Sequence, residues 1–259
     1  MKASPLGHCV QYPPPSVNNH ISVKGWRGNV VQKKQKGVGI ALNMLLVLII
    51  AALYLVTSQP DMLPVPTSGS PVYRGEASEK LSLQWIVNYN AKSMHDILDK
   101  LKEHDVKTTF IVSGEWAAAN PASLMRMATD GHEIGTMGNN PYEDGNLSWV
   151  MQDITDAAGI IESISGIKPK IYYSGSRRNS VSSRAAKKLG LTHVMGTVDL
   201  LCAQGTASDI VKRAESLAQG NIVLMQPTKQ AAEALDGLLE LLESKGLHVV
   251  TTDEIINDG

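Results

Sequence analysis

The sequence predicts an α/β fold on a parallel sheet, preceded by one membrane-spanning helix. Three observations carry that reading. From residue 80 onward seven short β-type apolar runs alternate with amphipathic stretches, residues 38–56 are apolar and uncharged, and charge divides between the two ends of the 259-residue chain. Residues 1–60 hold six cations (Lys2, Lys24, Arg27, Lys33, Lys34, Lys36) and no acid; the remainder holds the other 18 Lys/Arg against all 25 acids, so a head of +6 joins a body of −7. At 43% hydrophobic and 19% charged, the composition excludes a wholly disordered or collagen-like chain.

Residues 1–37 form the basic head. Its scattered cations read as topology signals rather than a nucleic-acid footprint, so no nucleic-acid partner is expected. The run 38–56, VGIALNMLLVLIIAALYLV, has no charge and one amide, Asn43. At ~1.5 Å per helical residue it reaches about 28 Å, close to the hydrocarbon core of a bilayer. A signal-peptide core would be shorter and followed by a small-residue cleavage site, so an uncleaved single-pass anchor is the expectation. Lys33, Lys34 and Lys36 precede it and the first cation after it is Arg74, which places the N-terminus in the cytoplasm and residues 57–259 outside. The two cysteines, Cys9 and Cys202, are then separated by the bilayer, and a disulfide-free outer domain suits a bacterial envelope. Residues 57–79 contain four prolines and read as an extended linker.

Within residues 80–259 the predicted strands are Leu81–Val87, Lys107–Val112, His132–Gly135, Lys170–Tyr173, His193–Val198, Ile222–Met225 and His248–Val250. Ser93 is placed to cap a helix with Met94, Ile97, Leu98 and Leu101 on one face. A longer stripe from Leu147 to Ile164 ends near Gly166, and another from Ala231 to Leu242 is closed by Gly246. The alternation demands a parallel sheet and leaves open whether that sheet is open or closed.

The run KTTFIVSGEWAAAN (Lys107–Asn120), followed by DGHEIG (Asp130–Gly135), closely resembles the polysaccharide deacetylase family, also called NodB-homology domains or carbohydrate esterase family 4. GIKP at Gly166–Pro169, GNIVLM at Gly220–Met225 and the closing LESKGLHVVTTDEII extend the resemblance over roughly residues 80–257. It implies a distorted (β/α)7 barrel with its site at the C-terminal strand ends. It also implies hydrolysis of an N-acetyl group on an amino sugar, with a divalent ion such as zinc held by an Asp and two His, an Asp base and a His acid.

The positions that match those motifs carry other residues. The base position is Ile86 and the metal-Asp position Val87; the two metal-His positions are Met137 and Pro141. The orienting Arg is replaced by Tyr173, a second acid by Cys202, and the catalytic His by Gln226, while Asp199 alone matches a family acid. No carboxylate or imidazole stands at a ligand position, so no metal cofactor is expected. The implied reading is a deacetylase-like pseudoenzyme of the cell envelope with a binding or accessory role; the alternative is an active hydrolase using non-standard residues. Trp85, Asn88, Asn139, Tyr173, Arg177, Asp199 and Gln226 are expected at the strand-end face, where amides pair with sugar hydroxyls and aromatic faces cover sugar rings. Gln84, Tyr89, Asn90, Asn140 and Arg178 are expected nearby. The expected partners are an envelope glycan, such as peptidoglycan, and the bilayer.

Overall fold

The structure, a computed structural model, describes residues 42–51, 70–88 and 92–257. The chain divides into two compact units, 1–64 and 65–259. In the first unit residues 42–51 are helical with exposed apolar side chains. Among the described residues no helix is long and apolar enough to cross a membrane. The rest of the predicted span (38–41 and 52–56), the head 1–37 and linker residues 57–69 lie outside the described residues.

In the second unit eight strands form one parallel sheet: β1 (Lys80–Val87), β2 (Thr109–Val112), β3 (Glu133–Thr136), β4 (Ile171–Tyr173), β5 (Thr192–Val194), β6 (Val198–Asp199), β7 (Ile222–Met225) and β8 (His248–Val250). The order is β5-β4-β3-β2-β1-β7-β6. β8 pairs with the first half of β1 and β2 with its second half. β5 and β6 stand at opposite ends of this order and do not pair with each other, so the eight strands make a curled half-barrel where a distorted (β/α)7 barrel was expected. The predicted run His193–Val198 is two strands, not one. β5 pairs with β4, β6 with β7, and the break falls at Gly196, where a Cβ would sit 2.2 Å from Leu224 Cγ.

The helices are α1 (Met94–Glu103), α2 (Gly114–Ala119), α3 (Pro121–Thr129), α4 (Leu147–Ser165), α5 (Asn179–Leu189), α6 (Ala207–Ala214), α7 (Lys229–Ser244) and α8 (Thr252–Asn257). Ser93 precedes α1 without making a capping bond, whereas Asn146 and Thr228 cap α4 and α7 through backbone amides three residues on. Gly166 ends α4 at φ 72°, where a non-glycine residue would be strained.

Alternation along β1 divides its side chains between two environments. Leu81, Leu83, Trp85 and Val87 join the main core with α1 and α7, whereas Ile86 packs against a smaller cluster of Ile111, Met137, Ile171 and Val194. At the N-terminal strand ends, a Glu133 carboxylate oxygen accepts from Thr109 Oγ1 (2.6 Å) and the Thr252 (2.9 Å) and Asp253 amides, pinning α8 to the sheet. Burial pushes the Glu133 carboxyl up from its ordinary value.

Part of the expected linker belongs to this body. Val72 pairs in parallel with Val194 of β5, and Arg74 bridges to Asn221 beside β7. Gly75 donates to the Gly220 carbonyl at 2.8 Å, and the Tyr73 carbonyl accepts from Thr197. The folded body therefore begins before residue 80. The reason is that the curled sheet leaves ladder groups of β5 and the β7 approach open, and residues 72–75 satisfy them.

Candidate binding site at the strand ends

Ile86 and Asn88, at the end of β1, meet Gln226, Pro227 and Thr228 after β7 in a cavity of about 360 Å³, which Tyr142 and Ala203 complete. Gln226 is held on both sides of its amide. Its Oε1 accepts from the Cys202 amide at 3.0 Å, and its Nε2 donates to Asp199 Oδ1 at 3.3 Å. The same Asp199 oxygen accepts from the Leu201 amide at 2.8 Å, and Leu201 adopts φ 48°. Arg213, in the last turn of α6, donates from Nε to the Leu200 carbonyl at 2.8 Å and so holds this turn. Asp199 and Gln226 thus lock the ends of β6 and β7 together. A glutamine amide cannot deliver a proton as an imidazolium does. The buried Cys202 thiol, pushed up to about 11 by burial, is a protonated side chain rather than a nucleophile.

The metal of the family does not fit these residues. Val87 is fully buried in the main core, Met137 is 1% exposed among Ile111, Ile171 and Val194, and Pro141 is buried. Among the described residues no group of three His, Cys, Asp or Glu side chains could hold an ion. Where an ion would need hard or borderline donors, the chain presents hydrocarbon, a thioether and a proline ring.

Three expected rim residues lie elsewhere. Trp85 is 0% exposed and stacks on Phe110 at 6.2 Å, because strand parity groups it with Leu81 and Leu83. Arg177 is 4% exposed, with its guanidinium engaged inside the protein. Its guanidinium pairs with Asp153 at 2.6 Å and donates to the carbonyls of Glu143 (2.8 Å) and Asn140 and to the Tyr172 hydroxyl. Asn139 lies over Gly114, whose added Cβ would be 2.6 Å from its Oδ1, and that oxygen is buried without a hydrogen-bond partner. Tyr173 packs half-buried on the Ile86 cluster, with burial raising its hydroxyl pKa and Asp199 adding to the effect. Gln84 is fully buried. Arg178 pairs with Asp144 at 2.6 Å, and Tyr89 and Asn90 lie outside the described residues.

The sequence reading missed a second, larger cavity. Asn88, Ser113, Glu115, Trp116, Asn120, Asn140 and Tyr142, with Ala119, Pro141 and Glu143, enclose about 560 Å³ between the end of β1, the β2–α2 turn and the β3–α4 loop. Tyr142 is 59% exposed and lines both cavities. The available signal was its place beside Pro141, the position the sequence resemblance matches to a metal-binding His. The loop that carries it is fixed from behind. Asp153 accepts from the Asn139 (3.1 Å) and Asn140 (2.8 Å) amides while Arg177 holds the carbonyls of the same loop.

Fold and strand-end site together define a carbohydrate-esterase-like domain with altered site residues. Residues 87–194 match the family model described as polysaccharide deacetylase. It is 30% identical over 196 residues to the protein YlxY of Bacillus subtilis, covering 73% of this chain and 61% of that one. It is also 30% identical over 170 residues to a peptidoglycan-N-acetylglucosamine deacetylase of Bacillus cereus, covering 60% of each. The chain thus spans about 60% of the length of these curated relatives. Among solved structures, wild-type BA3943 of Bacillus anthracis, described as a carbohydrate esterase family 4 pseudoenzyme, superposes with a TM-score of 0.70 at 26% identity, covering 74% of this chain and 70% of that one.

Proposed function

We propose that this protein is a membrane-anchored, extracytoplasmic glycan-binding member of the deacetylase family that does not perform the family's hydrolysis. The observation that carries the reading is the content of the three ligand positions, Val87, Met137 and Pro141, all buried and none able to hold a hard cation. A metal-bound water is what gives such a site its nucleophile near neutral pH, and several kcal/mol of oxyanion stabilisation with it. Nothing at Ile86 or Gln226 replaces the base or the acid. The kept cavities, with amides from Asn88 and Asn140 and the exposed Tyr142 ring, supply the groups that hold a sugar. The likeness to a described pseudoenzyme and to a peptidoglycan deacetylase points to an envelope glycan as the ligand class. The uncharged run 38–56 after a basic head supplies the anchor and the orientation.

The test is a deacetylation assay on N-acetylglucosamine oligomers with zinc or cobalt supplied. The rate should equal the no-protein control, and Asp199→Asn should change nothing in it. A metal-dependent rate abolished by Asp199→Asn would establish the hydrolase instead.

A further inference from the structure

We propose that the larger cavity is a subsite for a de-N-acetylated amino sugar, with its ammonium group held by Glu115 and Glu143. The inference rests on the glycan-binding reading above and narrows the ligand. The cavity, about 560 Å³, lies in the range of small-molecule sites. Its wall combines amides from Asn88, Asn120 and Asn140 with the rings of Trp116 and Tyr142, a set suited to hydroxyls and the apolar face of a pyranose.

The charge of the wall is one-sided. Glu115 and Glu143 line it, and no Lys, Arg or His does. Among the described residues neither carboxylate is engaged in a hydrogen bond or ion pair. The cations near this loop are committed: Arg177 to Asp153 and Arg178 to Asp144. An acetamido sugar would leave both carboxylates unmatched, whereas an ammonium sugar neutralises charge and donates three hydrogen bonds. A third side chain of the wall offers a donor, which suits a sugar hydroxyl rather than the ammonium. Trp116 is 4% exposed in the wall, and its indole N–H has no hydrogen-bond partner among the described residues.

The two carboxylates also sit on fixed backbone. Ser113 caps α2 by accepting from the Trp116 amide at 3.2 Å, which sets Glu115 in the first turn, and Asn120 Nδ2 closes that helix on the Trp116 carbonyl at 2.9 Å. Glu143 is anchored through its carbonyl by Arg177 at 2.8 Å. Little ordering therefore remains to oppose binding. A ligand of this kind is the product of amide hydrolysis on an N-acetylhexosamine, so the reaction class that supplies it is the one this chain has lost. The protein would read glycan that an active deacetylase has already processed.

The experiment is calorimetric titration of the full-length chain in detergent micelles at low salt and pH 6, with glucosamine oligomers and, separately, N-acetylglucosamine oligomers. Glucosamine oligomers should bind about fivefold tighter or more, with the preference shrinking as salt is raised. The double variant Glu115→Gln/Glu143→Gln should lose the preference and keep the acetylated-oligomer affinity. Glu240→Gln/Glu243→Gln on α7, far along the chain from the cavity, controls for general attraction to an acidic body and should keep it. Equal binding of the two oligomers, or a preference that survives in the Glu115/Glu143 variant or falls equally in the Glu240/Glu243 variant, overturns the ammonium subsite and leaves the glycan reading standing. Binding of neither oligomer overturns both.

Discussion

Val72 lies in parallel register with Val194: its amide donates to the His193 carbonyl at 2.8 Å and its carbonyl accepts from the Met195 amide at 2.7 Å. A segment that composition marks as a linker thereby extends the sheet at β5. With Gly75 bonded to Gly220, it also reaches the approach to β7. A chain starting at residue 70 should therefore unfold in urea as one cooperative transition. One starting at residue 78 loses these bonds and should be less stable by about 3 kcal/mol, at roughly 1 kcal/mol per net hydrogen bond. Equal midpoints for the two would show that residues 72–75 merely rest on the body.

Arg177, which the sequence reading placed among the ligand contacts, is instead half of a buried ion pair with Asp153. Arg177→Met leaves a 6% exposed Asp153 without its cation and should cost about 3–5 kcal/mol. Arg177→Met/Asp153→Leu should recover part of that loss, because both charges are gone. The β3–α4 loop should become accessible to protease in the single variant, since its carbonyls lose their donor. A single variant as stable as the parent would return Arg177 to the list of ligand contacts.

Two imidazoles set an acid limit on stability. Burial lowers His132 to about 4, assisted by Lys107, and lowers His193 to about 4. Each is neutral when folded, His132 Nδ1 accepting from the Thr108 amide and His193 Nδ1 bonded to Ser183 at 2.7 Å. The unfolded chain takes up these protons near pH 6.5, the folded one only near pH 4. Their contribution is thus fully present above about pH 6.5 and is lost as pH falls from there toward 4, on the order of 3 kcal/mol per imidazole. Urea midpoints measured from pH 7.5 to 4.5 should fall, and the fall should flatten in His132→Asn/His193→Asn. An unchanged slope in that variant would assign the acid limit to carboxylates alone.

The topology expectation has its own test. Protease added to intact protoplasts should digest residues 57–259 and spare a short basic fragment containing Lys33, Lys34 and Lys36. A protected body with a digested head would reverse the orientation.

Much of the body was legible from the chain because its signals are local. Period-two and helical apolar patterns set β1, β7, α4 and α7 close to their observed limits, and Gly166 marked a helix end through its own backbone preference. That Val87, Met137 and Pro141 offer no donor to a hard cation was legible for the same reason, since donor chemistry belongs to residue type. Tertiary structure decided what depends on distant partners. Trp85 shares strand parity with Leu81 and Leu83, but only the helices packed over that face show that it is sealed. Arg177 looks like a ligand contact until Asp153, 24 residues earlier, takes its charge. Val72, Glu115, Tyr142 and Glu143 acquire their roles only when the curled sheet brings separate turns to one edge or one mouth. No local pattern encodes that meeting, because the groups that satisfy one another there are set side by side by the fold rather than by the order of the chain.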